Sequence, residues 1–317
     1  MERDTKPEPR FRRGPHAMAI AAAAITVPLL YSGGQVTTYG VGMAVHDWPT
    51  TFGTNMFLYN MWEASWGVFI EHRHRLFGSA LGMVSIALAA WFVARDPRRW
   101  VKALGVLALL VVCAQGLLGG KRVQWNSTVV ASIHGASAQL IFAMMVALCV
   151  LTGRGWLADG AARRPDPEHL RRRAAVTLLL VYGQIVAGVL LRHFGAGLWV
   201  HALLAVAVWG HAAMLAWRVE RRRKIVPELV PSARAMALAV TLQVALGVVA
   251  WWRLRPFDGI PRPVTTPQAL VRTGHVVNGA LLLGATVVLT LRALRHLAPS
   301  GVGAESRAQA PSLEMVA

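Results

Sequence analysis

The chain has 317 residues, of which 55% are hydrophobic and only 15% charged, and its formal net charge is +18. That composition excludes a water-soluble globular protein. The positive charge taken alone suggests a nucleic-acid partner, but its distribution along the chain excludes one and describes a membrane topology.

Eight stretches reach the roughly 20 mostly apolar residues needed to cross hydrocarbon. A tail over 1–16 comes first. It contains Glu2, Asp4 and Glu8, and no small-residue cleavage site follows the first span, so we expect no cleavable signal or transit peptide. The first span covers 17–37. A long outer loop, 38–65, follows; it is aromatic, with Trp48, Trp62 and Tyr59, and holds no Lys or Arg. The spans at 66–94, 100–120 and 128–152 complete a first half, and 153–172 is a polar linker rich in Arg, Pro, Asp and Gly. The second half contains spans at 173–193, 197–218, 233–253 and 268–293, with a tail over 294–317.

Of the 33 Lys and Arg, only nine fall on the side of the long first loop; the others flank alternate connections and both termini. The excess marks the cytoplasmic face. The expectation is a multi-pass protein of a bacterial cytoplasmic membrane, with both termini inside. Cys113 and Cys149 fall within the third and fourth spans, where buried, inert thiols are expected.

The fold class expected is all-α integral membrane, with eight transmembrane helices as two repeat-related four-helix bundles. Its halves are 17–152 and 173–293. Gly34-Gln35 and Gly40 of the first span resemble Gly183-Gln184 and Gly188 of the fifth. Gln115, Leu118 and Gly119 of the third resemble Gln243, Leu246 and Gly247 of the seventh.

Histidines carry the chemistry. His74, His134, His201 and His275 lie one in each even-numbered span, within a few turns of its start. Ionisable groups inside a bilayer are functional until shown otherwise. A haem iron takes imidazoles from opposite faces, so the natural pairs are His74 with His134 and His201 with His275. Zinc fits less well, since it takes four tetrahedral ligands and both thiols lie away from this layer.

The densest cluster is Glu71-His72-Arg73-His74-Arg75. Glu71 lies one turn from His74 on the same face and is also the i−4 neighbour of Arg75; a site role is favoured over simple ion pairing. Arg73, Arg75 and, in the second half, Arg272 suit haem propionates, because guanidinium binds carboxylate bidentately. Snorkelling to headgroups is the alternative for each. His72, His193 and His46 are expected to be solvated, and His211 lies too deep to share the ligand layer.

With these residues in view, the chain resembles the haem A synthase family, in its cysteine-free subset. The segment Glu71–Gly78 resembles the family's Glu-x-x-His-Arg-x-x-Gly element, and Asp47-Trp48-Pro49 its Asp-Trp-Pro. Many members carry a cysteine pair in the first outer loop; here His46 precedes Asp47. The resemblance implies oxidation of the C8 methyl of haem O to a formyl group by successive hydroxylations, for terminal oxidase assembly. It implies a resident haem b on His201 and His275. Haem O would sit in the first half with His74 and His134, assisted by Glu71. It also implies a haem O synthase as supplier, the oxidase or its assembly factors as recipients, and an electron donor of unknown identity. Two competing expectations are a bis-histidine dihaem cytochrome that only relays electrons and a haem-carrying assembly factor.

Overall fold

The computed structural model describes residues 11–157, 163–253 and 263–299; most of both expected tails and part of the linker lie outside them. Eight long helices account for the architecture: α1 (Arg13–Tyr39), α2 (Trp66–Arg95), α3 (Arg99–Trp125), α4 (Thr128–Thr152), α5 (Leu170–Phe194), α6 (Leu198–Arg221), α7 (Val230–Arg253) and α8 (Thr266–His296). All eight are long and apolar enough to cross a membrane. Among the described residues there is no strand, only isolated bridges at Thr51–Thr54 and Arg164–Leu297.

The helices exceed the apolar windows where charge interrupts hydropathy without interrupting the backbone. The third was expected to close near residue 120, yet α3 continues through Lys121 and Arg122. It stops at Asn126, whose left-handed backbone (φ 44°) turns the chain. Gly40 (φ 67°) ends α1 in the same way, with its amide directed to the Val36 and Thr37 carbonyls; a residue without Cβ takes that conformation at no steric cost. Ser127 starts α4 by accepting from the Val130 amide at 3.3 Å.

Within the first half, α1 packs on α2, α2 on α3, α3 on α4 and α4 back on α1. In the second half, α5, α6, α7 and α8 contact one another in the same cyclic order. The two groups meet where α8 touches α1 and α4, and where α4 touches α5. α8 therefore occupies the middle: 61% of its most apolar window is buried, against 11–39% for the other seven helices. Close approach there depends on small residues. A Cβ on Gly34 would stand 3.1 Å from the Thr273 Cγ2, and one on Gly284 would stand 3.0 Å from the Phe142 ring. Outward faces carry large apolar side chains such as Leu179, Leu203 and Leu238, each more than 70% exposed, which suits lipid.

The linker is pinned at one end of the molecule. Arg164 pairs through its backbone with His296 and Ala298 and through its guanidinium with Glu228. Glu168 accepts from Arg218 at 2.6 Å and Arg222 at 2.9 Å.

Candidate functional site

Each of the four histidines stands against a glycine of the preceding helix. An added Cβ would lie 2.9 Å from the His74 ring at Gly33, 3.0 Å from His134 at Gly119, 2.9 Å from His201 at Gly188 and 3.1 Å from His275 at Gly247. No side chain larger than hydrogen fits at these points without moving an imidazole. The rings then face each other in pairs. His74 and His134 have centroids 6.3 Å apart at an interplanar angle of 80°, and His201 and His275 are 6.4 Å apart at 74°.

This geometry corrects the repeat register expected between the first and fifth helices. Gly188 corresponds to Gly33, not Gly40, since these two glycines cradle the equivalent histidines. In three helices a glutamine lies four residues before the cradle glycine, one turn away. Gln115 and Gln184 donate to the backbone carbonyls of His134 and His201, each at 2.8 Å. The Gln243 amide lies 3.2 Å from the His275 Nε2. In α1 that place belongs to Leu29, and the His74 Nδ1 meets its backbone carbonyl at 3.1 Å, with the Ser32 hydroxyl 3.3 Å away. A Gln-x-x-x-Gly spacing was the signal available in the sequence, and only part of it was recognised.

The two sites differ in what covers them. Glu71 is 1% exposed and does not face lipid. Its Oε2 accepts from the Val45 amide at 3.0 Å, and its Oε1 faces Arg75 at 3.2 Å and Arg122 at 3.6 Å. Arg75 also donates to the carbonyls of Asp47 (2.7 Å), Thr50 (2.9 Å) and Val45 (2.9 Å). Arg122 donates to the Gly42 carbonyl at 3.0 Å. Together these bonds clamp the beginning of the outer loop onto α2 and α3. Arg75, expected at a ligand carboxylate, has both terminal nitrogens committed to this clamp.

The Asp47-Trp48-Pro49 segment is the loop's own scaffold. The Asp47 carboxylate accepts from the Thr50 hydroxyl (2.5 Å) and from the Phe52 and Gly53 amides (2.9 Å each). Burial pushes its pKa up, but these donors outweigh burial and hold it down at about 2. The Trp48 indole packs on α3 where Gly120 leaves room, since a Cβ there would fall 2.4 Å from the ring.

Arg73 donates to the Gln35 amide oxygen, and its buried Nε has no partner. Arg272 lies one turn before His275 on α8. His72 corrects an expectation. Expected in solvent, it is 1% exposed, bonded to the Thr51 hydroxyl at 3.1 Å and packed on the Tyr59 ring at 5.1 Å, because the loop folds down over it. His46 is exposed. His193 is only partly exposed, 3.7 Å from where a Cβ of Gly135 would be. His211 pairs with the Thr177 hydroxyl at 3.1 Å. Cys113, expected to be buried, is exposed on the outer face of α3, while Cys149 is intermediate.

The donor sets can be tested against a haem. Each site offers two imidazoles and no third ligand group: no cluster of three His, Cys, Asp or Glu suited to a metal occurs among the described residues. A metal held about 2 Å from each of two imidazole nitrogens places the ring centres on the order of 6 Å apart, close to the spacings observed. The Nδ1 atoms of His134 and His275 are buried without partners, and each glycine lets its imidazole lie directly against the neighbouring helix. The residues fit a planar group ligated axially on both faces.

Fold and site define a class: an all-helical, multi-pass membrane protein with two partly buried histidine pairs, one beside a clamped outer loop. A family model described as cytochrome oxidase assembly protein (COX15-CtaA) matches residues 59–202, a segment holding Glu71, His74, His134 and His201. A heme A synthase of Symbiobacterium thermophilum is 27% identical over 289 residues, covering 86% of this chain and 87% of that protein. A heme A synthase of Exiguobacterium sibiricum is 28% identical over 56% of this chain and 60% of its own length. One from Methylorubrum populi is 34% identical over 43% of this chain and 35% of its own. The chain thus spans most of the first relative, 60% of the second and 35% of the third. Each match is a similarity: the family model spans under half of this chain, and the Symbiobacterium protein, matched over most of its length, is 27% identical.

Proposed function

We propose that this protein is a haem A synthase serving cytochrome oxidase assembly, acting on haem O and converting its C8 methyl to a formyl group. The observation that carries the proposal is the inequality of two otherwise matched histidine pairs. Both have glycine cradles, but among the described residues only the first lies beside a buried carboxylate under a clamped loop. A substrate site needs an opening that can be closed and a group that can handle protons; a relay site needs neither.

In this reading His201 and His275 hold a resident haem b, which supplies electron transfer. His74 and His134 receive haem O as substrate. Gly33 and Gly119 let the two imidazoles lie against α1 and α3, which fixes where the rings stand. Arg73, with an uncommitted Nε, and Arg272 meet carboxylates of the two groups. Glu71 assists the oxidation at its Oε1, where Arg75 and Arg122 converge. Arg75 acts mainly through the loop it holds, which excludes water from the first site. The protein resides in a bacterial cytoplasmic membrane with its termini inside, and takes its substrate from a haem O synthase.

Single-site variants test this division of labour. His201→Ala or His275→Ala should deplete haem b from the purified protein. Glu71→Ala should leave that haem in place and stall oxidation. Normal haem A production by the Glu71 variant would remove that residue from the reaction.

A further inference from the structure

Two arginines stand beside the second histidine pair with no carboxylate bonded to them among the described residues. In the first half, Arg75 and Arg122 share the carboxylate of Glu71. In the second half, Arg192 lies one turn beyond the Gly188 cradle on α5 and Arg272 one turn before His275 on α8, and both are only partly exposed. Among the described residues no carboxylate pairs with either guanidinium. Arg192 instead reaches out of its own half. Its NH2 donates to the Gly34 carbonyl (2.8 Å) and the Thr38 hydroxyl (2.5 Å) of α1, one residue beyond the glycine that cradles His74.

Two like charges withdrawn from water without a counter-charge are costly. An arrangement of that kind persists when a bound anion completes it. We propose that Arg192 and Arg272 form a two-cation clamp for the carboxylates of the tetrapyrrole held by His201 and His275. Arg192, through its bonds to Gly34 and Thr38, also ties that site to α1 of the first half.

This inference rests on the reading that the second pair holds haem. The test uses the full chain in detergent, loaded with haem or with haem dimethyl ester, and measures loss of each to apomyoglobin. Wild type should hold haem more tightly than the ester. Arg192→Gln should lose haem faster by about tenfold or more, as expected for a charge-assisted hydrogen bond, and should no longer distinguish it from the ester. The midpoint potential of the bound haem should fall with loss of the cation, and Arg192→Lys should restore the potential more fully than the retention. If Arg192→Gln discriminates between haem and ester as wild type does, the clamp is refuted. If wild type binds both alike, the clamp is also refuted. If His201→Ala and His275→Ala retain haem as wild type does, the underlying haem reading fails instead.

Discussion

Replacing Gly188 by alanine isolates the cradle from helix stability, because α5 contains its own control. At Gly188 the new Cβ would stand 2.9 Å from the His201 Cε1 and 3.4 Å from its Nδ1. Ordinary contact begins near 3.4 Å, so the imidazole must swing or the helices must part, at a cost of about 1–3 kcal/mol for overpacking. Alanine in place of glycine also returns roughly 0.8–1 kcal/mol of helix propensity. Overall stability should therefore change little, with the strain concentrated on the ring. At Gly183, five residues earlier, no atom lies within 4 Å of the added Cβ, so that variant should gain the propensity and pay nothing. The assay is a melting curve beside the visible haem spectrum per mole of protein. Gly188→Ala should melt within a few degrees of wild type yet lose most of its haem absorbance. Gly183→Ala should keep both. Full haem content in Gly188→Ala, or equal loss in the two variants, would refute the cradle.

Other consequences concern the outer loop and the first site. Arg75→Ala removes donors to three loop carbonyls and leaves Glu71 facing Arg122 alone. Limited proteolysis should then cut within residues 40–60 far faster than in wild type, while the second-site haem stays. Gly119→Ala should displace His134 and reduce substrate conversion without reducing resident haem, and equal loss of both would contradict the separation of sites. Asp47 has a carboxylate held at about 2 against an ordinary 3.8. Because its folded pKa is depressed, its stabilisation is fully present above about pH 4 and is lost as pH falls through 2. Amide protection at Phe52 and Gly53, corrected for intrinsic exchange, should be flat from pH 7 to 4 and fall below it. Loss already complete at pH 5 would show that Asp47 does not hold the turn.

Much of the fold was legible because lipid leaves the chain few choices. A spanning segment must be helical and about 20 residues long, so hydropathy located all eight helices and misplaced only their ends. The histidine pairs were legible for the same reason: ionisable side chains are rare at that depth. What escaped was set by partners distant in sequence. His72 looks like a solvated neighbour of charged residues until the loop brings Thr51 and Tyr59 over it. Arg192 looks like an interfacial charge at a helix end until α1 is seen to lie against it. The register of Gly33 with Gly188 was hidden because α1 supplies a backbone carbonyl, Leu29, where three other helices supply glutamine.

The central claim is that the first site changes its haem instead of only holding it. Its most direct test is mass analysis of haems extracted from membranes of cells co-expressing this chain with a haem O synthase and lacking any other haem A source. The account predicts a species heavier than haem O by the mass of one oxygen less two hydrogens, together with haem b. Recovery of haem O and haem b alone, from protein that is folded and haem-loaded, would contradict it and leave an electron relay or a haem carrier.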